Sequence, residues 1–259
     1  MKITTLLLAS SLAFSSGASF QPFSFSNSEV SSLENEPSEI IEKYLSAVGG
    51  KEKVSKIKNA SMTALANFQG QKIEIKSIAD AENHRMMQST AVSGNVMQKT
   101  FYVGGKAQVM AMGQVQELPE EMAALLKAQT YVFPEAHYEE LGYELSSLGS
   151  EVMDGIEVEG IQITLPNGMV TKEYYVVATG LKHKTSSQAA GDITYSDYQE
   201  VDGVLYPMML SIKNPMLPVA LEAKIKKFWG LFYDIQISVD FKTLGHESWI
   251  LGKKSLSDC

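Results

Sequence analysis

NASMTALANFQGQKIEI, running from Asn59 to Ile75, decides the fold. Ala60, Met62, Ala64, Ala66 and Phe68 alternate with more polar neighbours, Gly70 permits a turn, and Ile73 and Ile75 resume the alternation. A period of two gives a strand one buried face and one wet face, as in an antiparallel sheet packed on one side. The next strands are expected near 83–90, 96–103 and 106–112, with Gly94-Asn95 and Gly104-Gly105 as turns.

Upstream the period is helical. Ile40, Ile41, Tyr44, Leu45 and Val48 fall on one face of a helix that starts at Pro37-Ser38-Glu39 and ends at Gly49-Gly50. Lys51 to Lys58 adds a turn or two, with Val54 and Ile57 inward. Downstream, Glu117-Leu118-Pro119-Glu120-Glu121 reads as an acidic helix start with an early proline, followed by the apolar stripe Met122, Leu125 and Leu126. The aromatic stretch Tyr131, Phe133, Pro134 and Tyr138 is expected to pack this helix onto the sheet.

After Gly142 the strand signal returns, with Asp154-Gly155, Asn167-Gly168 and Asp202-Gly203 as hairpin turns. The inward phase shifts across Gly160, which predicts a bulge there, and Pro207 predicts an edge position or a bulge. The expected fold is α+β, mostly β: a curved antiparallel sheet or unclosed barrel of about ten strands, with inserted helices at its concave face. One domain over residues 37–228 accounts for all of it.

The flanks read differently. Lys2, the apolar run Ile3–Phe14 and small residues up to Ala18 describe a cleavable signal peptide, cut after Ala18. The run is too short to span the ~30 Å hydrocarbon core, and no Cys follows it to carry a lipid anchor. Residues 19–36 form a Ser-rich flexible leader. Residues 229–259 are an atypical tail: after Leu221, Ala223 and Ile225 the alternation degrades, and both tryptophans and the lone Cys259 lie beyond Phe228. Two readings stand for it, a last strand with a surface segment, or a tail foreign to the fold that arises from a frame shift near Phe228.

With 22 basic and 30 acidic residues in 259, the net charge is −8, a poor balance for binding nucleic acid through phosphates. A single Cys excludes an internal disulfide and any multi-Cys metal site. His84, His137, His183 and His246 fit no zinc-peptidase spacing, and Gly-x-Ser-x-Gly, Walker A and Gly-x-Gly-x-x-Gly are all absent. Adjacent carboxylates at Glu120/Glu121 and Glu139/Glu140 point about 100° apart on a helix, so they describe a wet face rather than an acid–base couple. No catalytic motif emerges. The thirteen methionines are the positive signal: Met adapts to irregular apolar partners, although it fills cores equally well.

The segments YLSAVGGKEKVSKIKNASM, VMQKTFYVGGKAQVMAMGQ, YVFPE, EYYVVATGLKHK and TYSDYQEVDGVLYP, in this order, resemble the periplasmic lipoprotein-carrier-like (LolA/LolB-like) domain common in Bacteroidetes. Such domains also occur attached to insulinase-type peptidase chains; no zinc motif and no peptidase portion are present here. The resemblance implies an unclosed antiparallel barrel around helices, with an apolar cavity for acyl chains.

The leading expectation is thus a periplasmic binding or carrier protein for a lipid or an acylated protein, working without a cofactor or a metal. Its ligand-binding lining is Met62, Ala64, Phe68, Ile73, Ile75, Met97, Phe101, Met110 and Met112, with Met122, Leu125 and Leu126 as a helical plug. Its partners are lipid or lipoprotein acyl chains and, beyond them, an outer-membrane protein or a peptidase, not nucleic acid. The alternatives are a non-catalytic accessory domain for an insulinase-like peptidase, recognisable by an exposed apolar patch, and a hydrolase whose site converges only in the fold.

Overall fold

The computed structural model describes residues 35–188, 191–214 and 219–229. The expected signal peptide, most of the expected leader and nearly all of the tail therefore lie outside the described residues.

Helix α1 (Pro37–Val48) has Pro37 in its first turn and buries the five predicted side chains, Ile40, Ile41, Tyr44, Leu45 and Val48. It ends at Gly49, whose φ of 141° only glycine adopts without strain. A Cβ at Gly49 would lie 2.9 Å from the Gly203 carbonyl oxygen, so this glycine also lets α1 sit close against a distant hairpin. Gly49→Ala is expected to cost about 1–3 kcal/mol of stability by urea unfolding. Gly50→Ala should cost less, because φ is positive there (96°) but nothing lies within 4 Å. Helix α2 (Lys51–Val54) follows, and Val54 and Ile57 point inward as the sequence predicts.

The strands are β1 (Asn59–Phe68), β2 (Gln71–Asp80), β3 (Arg85–Val92), β4 (Asn95–Val103), β5 (Lys106–Ala111) and β6 (Gln114–Glu117). After helix α3 (Glu120–Lys127) and two 3-10 turns come β7 (Glu144–Met153), β8 (Ile156–Thr164), β9 (Val170–Val176) and β10 (Lys182–Ser187). The series ends with β11 (Gly191–Val201), β12 (Val204–Lys213) and β13 (Leu221–Trp229). All belong to one antiparallel sheet in the order β6-β5-β4-β3-β2-β1-β13-β12-β11-β10-β9-β8-β7. The strand β13 joins the two series by pairing with both β1 and β12.

The expected ten strands are thirteen. Gln114–Glu117 is exposed at all four positions, so it carries no alternation, and β7 has no fully buried position. For the same reason the helix start predicted at Glu117 is displaced: β6 runs to Glu117, Pro119 caps the helix, and α3 begins at Glu120. The bulge predicted at Gly160 lies across the ladder from it. The β7 register shifts between Ser147 and Gly149, while β8 pairs with β9 without a break. Gly160 is required by packing: a Cβ there would meet Leu148 Cβ at 3.0 Å and the Tyr174 ring at 3.1 Å.

Pro207 lies inside the sheet order but at a local edge. The strand β12 pairs with β13 only from Met209 to Ile212, so among the described residues the segment Val204–Met208 has β11 on one side and no ladder partner on the other. A proline, lacking an N–H, fits such a place. Opposite it, β13 carries a bulge at Lys226, because Thr63 pairs with Lys227 while Ala64 pairs with Ile225.

The main core lies on one face of the sheet, under α1 and the segment 128–141, and joins Ile40, Leu45 and Val48 to Phe133, Ile161, Tyr175, Tyr206 and Ala223. A second, smaller cluster of Met86, Tyr102, Ala107 and Ala123 is packed under α3, with Leu118 and Leu126 at its rim.

Candidate functional site

Directly opposite residues of an antiparallel ladder share a face, so the register sorts the predicted lining residues. Met62, Ala64, Ala66 and Phe68 on β1 face the same way as Ile73 and Ile75 on β2 and as Ala223, Ile225 and Phe228 on β13. Leu210 and Ile212 on β12 continue this face. It is the face of the main core, and Met62, Phe68, Ile73 and Ile75 pack at its margin half-buried, while Ala64 is buried. The result is an apolar strip across β2, β1, β13 and β12. Ala64, Ala66 and Ala223 form its middle, where the main core packs closely over the sheet.

The other predicted lining residues do not join this strip. Phe101 pairs with Met87 and Met110 with Lys99, one position out of phase with Tyr102 and Val109, so both lie on the opposite face of the sheet. Met97 sits in the β4 bulge between Val96 and Gln98 and is exposed. Met112 lies in the β5–β6 turn at φ 49° and is 89% exposed. Alternation read strand by strand cannot fix which phase faces the helices when both phases carry apolar residues, as they do in β4 and β5. On the helix-bearing face, β3 to β5 carry the apolar row Met86, Tyr102 and Ala107 under α3, followed by two more polar rows, Gln88, Thr100, Val109 and Gln116, then Thr90, Gln98, Ala111 and Gln114.

Of the predicted plug, Leu125 packs against the main core and Leu126 against the second cluster, while Met122 is exposed. Ala123 is the one fully buried residue of α3, and no side chain caps its N-terminus. Asn167 Nδ2 donates to the Glu121 carbonyl at 3.2 Å. A helix of eight residues has little stability of its own, so α3 is a lightly held cover.

Beneath the adjoining segment lies a group that the sequence reading did not single out. Lys182 on β10 donates to Glu135, in the second 3-10 turn, and to Glu173 on β9 at 2.5 Å. All three side chains are at most 7% exposed. Tyr138 donates to Glu173 Oε2 at 2.9 Å, Tyr175 donates to the same oxygen, and Tyr198 donates to the Lys182 carbonyl at 2.8 Å. The Lys182 ammonium stands 5.6 Å from the ring centres of Tyr44 and Tyr175, within reach of their π faces.

Burial raises the Glu135 pKa, with Glu173 adding to the rise and Lys182 opposing it, and Glu135 Oε2 has no hydrogen-bond partner among the described residues. Burial alone would lower the Lys182 pKa, but the two carboxylates outweigh it and hold it above the usual lysine value. The signal was present: Glu173 shares its strand phase with buried Tyr175, and an inward charge implies an inward partner. These three residues sit in the YVFPE, EYYVV and LKHK segments that carry the family resemblance. They fix the segment 130–141 to the sheet, in contrast to α3.

The three described histidines do not converge. His84 is exposed, His183 is buried, and His137 stacks on Tyr131 at 4.1 Å and meets Glu140 at 3.0 Å; His246 lies outside the described residues. Among the described residues no group of three His, Cys, Asp or Glu side chains could hold a metal ion, and no helix is long and apolar enough to cross a membrane.

No protein-family model matches the chain, and no curated protein matches it by sequence. Solved structures do. A LolA superfamily protein from Nitrosomonas europaea is 9% identical, with a TM-score of 0.45 over 70% of this chain and 93% of that one. A domain named for outer membrane lipoprotein sorting, from Vibrio parahaemolyticus, is 11% identical, with a TM-score of 0.49 over 80% and 95%. A DUF1329 family protein from Desulfovibrio piger is 12% identical, with a TM-score of 0.50 over 79% of this chain and 96% of that one; at that identity what the two share is the fold.

Proposed function

We propose that the protein is a non-catalytic periplasmic carrier that shelters the acyl chain of a lipid or lipoprotein on the helix-bearing face of its sheet. The observation that carries this reading is the apolar strip across β2, β1, β13 and β12, with half-buried Met62, Phe68, Ile73 and Ile75 at its margin, flanked by a cover held firmly at one end and lightly at the other. Chain capture would be driven by apolar area removed from water, about 25 cal/mol per Å². Leu125 and Leu126, which now pack against the two clusters, would yield to the ligand as α3 lifts, while the Lys182 cluster keeps the rest of the cover in register. The same cluster supports a non-catalytic role, since Lys182, Glu135 and Glu173 lie inside packed aromatic side chains rather than in an open cleft.

Native mass spectrometry and lipid extraction of protein purified from its host test the reading directly. Bound lipid is the expected result, together with saturable binding of fluorescent fatty acids; absence of both ends the proposal. A variant probes the cover. Ala123→Glu places a carboxylate in the second cluster and should free α3, raising the fluorescence of an apolar dye several-fold while the main core stays folded. An unchanged dye signal would show that α3 is not the movable part.

A further inference from the structure

The place where β12 and β13 part is more than an irregular ladder. A cleft of about 240 Å³ opens there, lined by Gln199, Val201, Met208, Ile225, Phe228 and the lysines at 224, 226 and 227. On the far side of Lys224 and Lys226 a second cleft of about 390 Å³ runs over the opposite face, past Leu65, Lys72 and Met209. The two clefts meet at these lysines. Strand phase divides the linings: Ile225 and Phe228 pair with Ala64 and Met62 on the apolar strip, whereas Lys224 and Lys227 pair with Leu65 and Thr63 on the outer face. The bulge at Lys226 re-aims that side chain at the gap.

The gap therefore leads from an outer rim where the lysines at 72, 224, 226 and 227 outnumber the single carboxylate of Glu222 to an apolar interior. Among the described residues none of Lys224, Lys226 and Lys227 makes an ion pair, although the protein is net acidic. Just inside, the Phe228 ring packs on Tyr206 at 4.1 Å, and the buried Tyr206 hydroxyl has no hydrogen-bond partner among the described residues. Phe133, 5.2 Å from Tyr206, and Tyr44 continue the ring packing into the core. The volume falls below the ~300–1,000 Å³ of ordinary ligand clefts, which suits a single unbranched chain.

We propose that the parting of β12 and β13 is the entry for acyl chains with an anionic head. The carboxylate or phosphate is met by Lys224, Lys226 and Lys227, and the chain passes Met208, Ile225 and Phe228 onto the strip. In a phospholipid, an ester carbonyl that follows the chain inward finds a donor in the Tyr206 hydroxyl. This rests on the carrier reading and gives it a ligand class.

The test compares a dansyl-labelled fatty acid with its methyl ester on the full chain. The acid is expected to bind about tenfold more tightly at low salt, the sum of a few exposed charge pairs, with the difference shrinking as salt is added. Lys224→Glu with Lys226→Glu should abolish the difference while leaving methyl ester affinity intact, and Lys224→Gln with Lys226→Gln should narrow it. Both positions are exposed, and circular dichroism would verify the fold. Displacement of the probe by phosphatidylglycerol identifies a phospholipid head as a source; displacement by free fatty acid alone identifies a carboxylate. Equal binding of acid and ester by the unaltered protein, or a difference that survives charge reversal, overturns the entry and leaves the carrier reading standing. Binding of neither probe overturns both.

Discussion

Replacing Lys182 by Met is expected to destabilise the protein by about 3–5 kcal/mol, the cost of leaving buried carboxylates without their counter-charge. Glu135 and Glu173 would then face each other with their tyrosine donors but no cation. In a domain of this size the thermal midpoint should fall by roughly 10 °C, and the urea midpoint should fall with it. Removing the charges together reverses the argument: Lys182→Met with Glu135→Gln and Glu173→Gln leaves no buried ion, and most of the lost stability should return. A loss below about 1 kcal/mol in the single variant would show that the cluster is hydrated in solution. If the triple variant stays as weak as the single one, packing around the Lys182 stem matters more than charge.

The second large effect is alkaline. Tyr44, Tyr138 and Tyr175 are fully buried, and burial, reinforced by Glu135 and Glu173, raises each pKa well above the ordinary value of 10.0. Each proton is thus held more tightly in the folded state than in the unfolded one. The associated stability is fully present below pH 10 and is lost as pH climbs toward the folded values. Lys182, raised from 10.5, contributes with the same sign. One group changes stability by about 1.4 kcal/mol per pH unit, so the three tyrosines together should remove about 4 kcal/mol per unit above pH 10. A domain of ordinary stability, about 5–15 kcal/mol, should then unfold cooperatively between about pH 11 and 13. Tyrosinate absorbance should appear in step with the loss of circular dichroism. Tyrosinate that forms well before unfolding would show that the ring hydroxyls reach water in the native state.

Much of the architecture was legible because alternation and helical spacing report burial directly. The helix α1, with its five inward side chains and glycine stop, and the β1–β2 hairpin around Gly70 follow from period alone. Where burial is absent the signal is absent too, which is why exposed β6 was read as the approach to a helix. The candidate site was half legible. Met62, Ala64, Phe68, Ile73 and Ile75 share one face, and the register that unites them separates Phe101 and Met110 from them. Phase within one strand says that two faces differ; only the pairing of strands says which face the helices cover. Lys182, Glu135 and Glu173 went unnoticed because charged residues are ordinarily read as wet, and their convergence spans separations of up to 47 residues.

Among the described residues, the open order of the sheet leaves two strands, β6 and β7, each with one side unpaired. Free N–H and C=O groups along such a border can template pairing with another molecule. Here both borders are blunted. The four-residue β6 ends in Glu117, and β7 is interrupted by its shift at Ser147–Gly149 and carries Glu144 and Glu151. The irregularity opposite Gly160 thus does more than accommodate Tyr174. It breaks the flat run of backbone along the last strand and keeps a sheet that never closes from growing edge to edge into a fibre.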